Sequence, residues 1–450
     1  MSASSPPTAQ VQRALRMSLG EAMFHAVMLG LSESWLGALA VALGHEALAL
    51  ALLATVPLLI GALAQLFSPW LETVVGGRKQ LVVAGAVLQA VAQVGFIGIA
   101  VSGETRLWPL LLVKTLFWTS GAVIAPAWGA WMGTLTEHVV RARYFAVRSS
   151  LAETALLLAF GSAGVWLHGA DPRESLGRFT AMFAVALVAR TVSALFLGAQ
   201  WDPGGSTPDA SVPVVRRIAA AARDSRWRIA VYLGVMMFGG HVAIPFFTPY
   251  MLRVLQLDFG AFAFLLAVSI FAKAVSFPLC HRVADRIGLR QLLLFAGVGV
   301  AALPLLWAAF DAFWVLVLVQ LVGGITWAGL EYASFQLLLQ SSRAEHRLEF
   351  LSLASSLSGA LQLTGALTGS ALLGGLGYEG LFVASALLRG VALGVLVVVV
   401  RPLDVAVRLP RVFVRLLGTR PNAGAIRTAV LEDEAAAAPE NPPPPVPNGR

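Results

Sequence analysis

A chain of 450 residues that is 58% hydrophobic and only 12% charged, with a mean hydropathy of +0.77, is excluded from the water-soluble class, in which roughly 25% of residues are charged. Its net charge of +8 does not indicate nucleic acid, because the basic residues gather on one set of loops between apolar runs, which is a topological signature. The single cysteine, Cys280, excludes an internal disulfide and a multi-cysteine metal site.

Residues 1–17 are polar and contain Pro6 and Pro7 without an apolar core. No cleavable signal peptide is expected there, and the first apolar run would act as the insertion signal. Twelve runs long enough to span a bilayer follow, at 18–42, 46–67, 80–102, 106–133, 148–169, 177–200, 228–250, 257–280, 290–310, 312–340, 350–376 and 379–400. They are continuous and not alternating, so helices and not barrel strands must satisfy the backbone in lipid. The expected fold is all-α and polytopic.

Residues 201–227 form a basic linker with Arg216, Arg217 and Arg223. In the segment 401–431, Arg401, Arg408, Arg411 and Arg415 share one face if the chain is helical, and would lie on an anionic leaflet; the alternative is an unstructured basic flank. Residues 432–450 turn acidic and then Pro-rich and are expected to be disordered. Arg78, Lys79, Arg141, Arg143, Arg216, Arg217, Arg282, Arg286, Arg343 and Arg347 all fall on one side of the predicted spans. By the positive-inside rule both termini are cytoplasmic. Arg so dominates over Lys that the composition is that of a GC-rich bacterial chain, and the cell (inner) membrane is the expected location.

Rare residues recur at a fixed offset. Phe183 precedes Arg190 by seven positions in the sixth span and Phe382 precedes Arg389 by seven in the twelfth, a shift of 199. Trp118 and Trp327 are 209 apart in the fourth and tenth. Such offsets are those of two duplicated six-helix halves, 18–200 and 228–400, with a binding site at their interface.

Between the eighth and ninth spans stands His281-Arg282-Val283-Ala284-Asp285-Arg286-Ile287-Gly288-Leu289-Arg290. Asp285, Arg286, Gly288 and Arg290 match the loop pattern between the second and third helices of each half of the major facilitator superfamily, which this chain resembles. His281 stands where the pattern begins with Gly. A degenerate copy, Gly77-Arg78-Lys79, lies 211 positions earlier for the Gly, with Val74 and Val75 in place of Asp and Arg. Pro126-Ala127-Trp128 with Arg143-Tyr144-Phe145 and Arg148 is similar to a little-characterised bacterial branch of the superfamily. The resemblance implies two pseudo-symmetric six-helix bundles rocking about a central cavity lined by helices 1, 4, 7 and 10. It also implies that Gly77, Arg78, Lys79, Asp285, Arg286, Gly288 and Arg290 form cytoplasmic gating loops, with Asp285 capping a helix or pairing with an Arg of a neighbour.

An ionisable group deep in a span costs roughly 2.5–3.5 kcal/mol unless it has a partner or a water-filled cavity. On the superfamily's architecture, Glu33, Lys114, His241 and Glu331 would face that cavity, with Trp35, Trp118, Phe246, Tyr250 and Trp327 as its aromatic wall. Glu331 follows Trp327 by four positions and shares its helix face. It is read either as a proton carrier, since an apolar wall favours a neutral carboxyl, or as a fixed ion-pair partner of Lys114 or Lys273. Glu33 has the same two readings. His25 and His241 are relays or simply hydrogen-bonded. Arg190 and Arg389 are expected to cap carbonyls or pair within their halves, and Lys273 to gate or snorkel. Pro245-Phe246-Phe247-Thr248-Pro249-Tyr250 would open the seventh helix near a solute or belong to an interfacial aromatic belt, to which Trp128 and Trp131 are also assigned.

No Gly-x-x-x-x-Gly-Lys-Ser/Thr loop is present to bind a nucleotide, no nucleophile and base converge, and no metal or cofactor is expected. The reading is a monomeric secondary active carrier for a small organic solute, surrounded by membrane lipids and coupled to protons. A drug/proton antiporter is the alternative, although a Gly-Pro motif in the fifth helix and an Arg in the fourth are missing. A transporter-like sensor without flux and a membrane enzyme are rivals from other classes.

Overall fold

The computed structural model describes residues 8–45, 47–136, 141–168, 172–204, 227–257, 259–343 and 346–399, with isolated linker positions. Residues 1–7, most of the linker, the basic segment 401–431 and the tail 432–450 lie outside the described residues. The described elements are helical. Helix α1 comprises Thr8–Leu31, a 3-10 turn at Glu33–Trp35 and Leu36–Ala42; α2 comprises Ala47–Ala64, a 3-10 turn at Gln65–Phe67 and Ser68–Val75. Then come α3 (Arg78–Ser102), α4 (Leu107–Leu135), α5 (Arg141–Leu167) and α6 (Pro172–Ala199). After the linker, α7 is Trp227–Pro249 continued by a π turn at Tyr250–Val254, followed by α8 (Phe259–Ile287), α9 (Leu289–Ala309) and α10 (Phe313–Ser341).

The last helical stretch, Arg347–Val399, runs 53 residues, which at 1.5 Å per residue is about 80 Å against a hydrocarbon core of about 30 Å. It cannot be one crossing. Gly377, at φ 66° and ψ −175°, interrupts it in a conformation that a side chain would strain, and divides it into α11 (347–376) and α12 (378–399). Among the described residues this gives twelve helices long and apolar enough to cross a membrane.

The halves repeat the same packing. In the first, α1 lies on α5 and α6, α2 on α4, and α3 on α4 and α6; in the second, α7 lies on α11 and α12, α8 on α10, and α9 on α10 and α12. Lipid offers no hydrophobic drive between helices, so close approach depends on small residues. A Cβ at Gly30 of α1 would fall 2.8 Å from that of Ala159 of α5, and one at Gly365 of α11 would meet the Phe238 carbonyl of α7. Likewise Gly61 of α2 faces Ala122 of α4, and Gly324 of α10 meets Ser269 and Ala272 of α8. Thus α1·α5 and α2·α4 are matched by α7·α11 and α8·α10.

The duplicated loops keep this symmetry in their backbone. Gly77 begins α3 at φ 141° and ψ 166°, and Gly288 begins α9 at φ 89° and ψ 154°. At each, an added Cβ would fall 2.7 Å from an amide oxygen three residues on, that of Gln80 or Gln291. The turn needs a residue free of the Cβ penalty at positive φ, which is why glycine survives in the first copy although the Asp-Arg pair before it does not.

The buried Arg pair is structural. Arg389 donates from Nη1 to the Val300 carbonyl at 2.7 Å and from Nη2 to the Gly240 carbonyl at 3.4 Å, joining α12 to α9 and α7. Arg190 donates to Ser193 Oγ at 2.8 Å and lies 4.0 Å from Glu21 of α1. Phe183 and Phe382, seven residues before each, are wholly buried.

Candidate functional site

The contacts that join the halves gather toward the near end of the bundle, where α1 begins and α2 finishes. On one seam, α5 meets α8. Lys273 of α8 holds its Nζ 2.9 Å from Glu331 Oε1 of α10 and 3.0 Å from Glu153 Oε1 of α5. One turn before Glu153, Ser150 donates to the Ala274 carbonyl at 2.7 Å. The ammonium therefore bridges a carboxylate of each half. Lys273 and Glu153 are 20% and 17% exposed, whereas Glu331 is 43% exposed despite lying well inside its span.

Beyond this seam toward the near end, Trp128 of α4 stacks on Phe335 of α10 at 6.1 Å, and Phe145 of α5 meets the same ring at 4.9 Å. The Arg148 guanidinium lies 4.3 Å over Trp128 while pairing with Glu21 at 2.6 Å. Tyr332 donates to the Ala142 carbonyl at 3.1 Å, and Arg347 at the start of α11 reaches Thr134 Oγ1 of α4 at 3.5 Å. These groups seal the near end. Trp128 and Trp131, expected in an interfacial belt, are instead part of this seal and of the buried core beneath it, Trp131 being wholly buried. Periodicity could not tell a lipid-facing indole from one turned toward the other half.

On the opposite seam, α2 meets α11. Gly359 approaches Ala62 so closely that a Cβ there would fall 2.7 Å from that of alanine. A cavity of about 300 Å³ lies along this contact, lined from the first half by Pro57, Leu58, Gly61, Ala62, Gln65, Trp118 and Ala122. From the second half come Ala230, Leu233, Leu338, Ala354, Ser355, Ser358, Gly359 and Gln362.

Of the predicted cavity residues, the structure brings Trp118 to this cavity and Glu331 to the charged seam. Of its two predicted ion-pair partners, Glu331 takes Lys273, with Lys114 directed elsewhere: Lys114 is the cation acting on Glu33 across α1 and α4. Trp35 stacks on Phe160 at 5.1 Å within the first half. His241 directs Nδ1 to the Met237 carbonyl at 3.0 Å. Trp327 packs between the two cores of the second half. Phe246 lies against Gly369 of α11.

Tyr250 departs from expectation. It is 6% exposed and packed among Trp307, Tyr378 and Phe382, which is a core and not a cavity wall. The two prolines do not open α7 either, since the helix runs through Pro245 to Pro249 and only then widens, Leu255 donating to the Tyr250 carbonyl at 3.0 Å.

Among the loop residues, Arg78 makes a forked contact with Asp202 beyond α6, Nη2 to Oδ1 at 2.7 Å and Nε to Oδ2 at 3.3 Å, and donates from Nη1 to Thr134 at 3.1 Å. Among the described residues, Asp285 neither caps a helix nor pairs with an Arg. It lies in the last turn of α8, 59% exposed and 3.4 Å from His281 Nε2 one turn earlier. Arg78 of the first-half copy thus has its carboxylate partner outside the loop, at Asp202.

Sequence reasoning passed over Glu153, which stood near a predicted helix end and had no repeat partner, and over Gln65, Gln362, Ser355 and Ser358. The available signal was polarity inside the second and eleventh spans. Their convergence needed the fold.

Residues 229–428 match the family model of the Major Facilitator Superfamily. Solved structures with the same fold include the fucose:proton symporter of E. coli, with a TM-score of 0.69 at 13% identity over 86% of this chain and 98% of that one. A bacterial homologue of the iron transporter ferroportin in an outward-facing state gives 0.66 at 18% over 87% and 100%. The human organic anion transporter MFSD10 gives 0.64 at 14% over 87% and 100%. No curated protein matches the chain in sequence. Over its second half the chain matches the major facilitator superfamily in sequence, and its described helices share the fold of these transporters.

Proposed function

We propose that the chain is a secondary active carrier that moves a small organic solute by alternating access, with Glu331 coupling the movement to protons. The observation that supports this is Lys273 held between Glu153 of one half and Glu331 of the other. Opening the near end separates α5 from α8, so the Lys273–Glu153 leg must break, and Lys273 then depends on Glu331 alone. Protonating Glu331 removes that fallback and makes separation costlier; releasing the proton restores it. A single titration thereby biases which end is open, which is what coupling requires.

The basic loops lie at the sealed end, so the reading places the near end and both termini in the cytoplasm of the cell membrane, with the far end outward. The structural neighbours include proton symporters, which favours proton coupling over a fluxless sensor. The test is reconstitution in proteoliposomes with an entrapped pH-sensitive dye and pooled metabolites or lipophilic cations. Solute-induced proton movement in wild type and its loss in Glu331→Gln are expected. Flux of labelled solute with no proton movement would leave a uniporter and remove the coupling role of Glu331.

A further inference from the structure

The cavity between α2 and α11 has a chemistry distinct from the charged seam. None of the residues lining it is charged. Gln65 is 7% exposed, its side-chain amide makes no hydrogen bond to another described residue, and it is not sealed off from the cavity. A buried amide left unpaired in this way is costly unless something in the space satisfies it. Across the cavity on α11, Gln362 donates from Nε2 to Ser358 Oγ at 3.2 Å, which leaves the Gln362 carbonyl oxygen and the Ser358 hydroxyl hydrogen for another partner. Ser355 lies one turn before Ser358 and likewise has no partner among the described residues. The third wall is the Trp118 indole, 38% exposed.

We infer that this cavity is the solute site and that it takes an uncharged ring compound bearing several hydroxyl groups. Each hydroxyl both donates and accepts, which suits amides and serines presented from opposite sides, whereas an ion would find nothing here to neutralise it. The indole offers a flat apolar surface for the ring's C–H face. A volume of about 300 Å³ is at the small end for a binding site and is enough for one ring. Because α2 and α4 contribute Gln65 and Trp118 while α11 contributes Ser355, Ser358 and Gln362, the solute touches both halves and is released when they part.

This rests on the carrier reading of the chain, and the test therefore uses binding without flux. Purified full-length protein in detergent is probed by scintillation proximity with labelled glucose, ribose and myo-inositol, and with the charged counterparts glucosamine and glucuronate. Binding of at least one neutral probe is expected, with its charged counterpart tenfold or more weaker. Gln65→Leu and Gln362→Leu should each weaken binding tenfold or more at an unchanged melting temperature, with partial recovery in Gln65→Asn. Charged probes bound as tightly as neutral ones, or a cooperatively folded protein that binds none of the neutral set, would overturn the inference. Binding of a neutral ring without any transport in vesicles would support the site and sink the carrier reading.

Discussion

Neutralising the two carboxylates that share Lys273 should move the conformational equilibrium in opposite directions. In the sealed state the ammonium lies 3.0 Å from Glu153 and 2.9 Å from Glu331, and only the first of these bonds crosses between halves. Glu153→Gln weakens the crossing bond and should favour an open near end. Glu331→Gln removes the partner that Lys273 would retain after separation, so opening strands a cation in the span and the sealed state gains. With Glu153 and Lys273 17% and 20% exposed, the crossing bond falls between an exposed pair of about 0.2–1 kcal/mol and a buried one costing about 3–5 kcal/mol when broken. A shift of about 1–3 kcal/mol corresponds to roughly 5–150-fold in the ratio of states. Spin labels at Val74→Cys and Arg282→Cys, both exposed near-end positions in opposite halves, would report it in a Cys280→Ala background. Longer distances in Glu153→Gln and shorter ones in Glu331→Gln are expected. Shifts in the same direction, or none in either, would refute the view of Lys273 as a bridge whose two legs compete.

The double variant Glu153→Gln/Glu331→Gln leaves Lys273 unpaired and should lose about 3–5 kcal/mol of stability, seen as a lower melting temperature in detergent; adding Lys273→Met should restore it. Gly359→Leu places a side chain where Ala62 already stands, so the near end should fail to close, flux should be lost, and the spin-label distances should lengthen. Arg389→Leu removes two charge-assisted hydrogen bonds in a site 2% exposed. At about 1.5–3 kcal/mol each, this should lower the yield of folded protein far more than Lys114→Met, whose side chain is only half-buried; equal effects would contradict the carbonyl-capping role of Arg389.

Much of the architecture is written in one dimension. Apolar runs of spanning length can satisfy their backbone in lipid only as helices, so composition alone decides the fold class and nearly all the crossings, even the pair that a continuous stretch of 53 helical residues would hide. Duplication is legible because Gly77 and Gly288, or Phe183 and Phe382, are kept at matching places for the same steric reason. Glu331 could be singled out because a charge in a span demands an explanation whatever surrounds it.

Which partner supplies that explanation was decided by tertiary structure. Glu331 had two cations within reach of speculation, and only the meeting of α5 with α8 selects Lys273 and adds Glu153. The first-half loop lost its carboxylate in sequence, yet Arg78 finds Asp202 across the fold. Tyr250 and Trp131 are expected at a cavity wall or an interfacial belt, yet both are buried against residues of other helices. Neutral residues such as Gln65 and Gln362 raise no alarm in a chain, because an amide costs far less than a charge to insert and announces nothing until two of them meet across a cavity. The sequence alone specified helices, their number and their repeat, because those depend on each segment's own transfer into lipid. The site depends on which faces of different helices turn toward one another, and that is a property of packing between the halves.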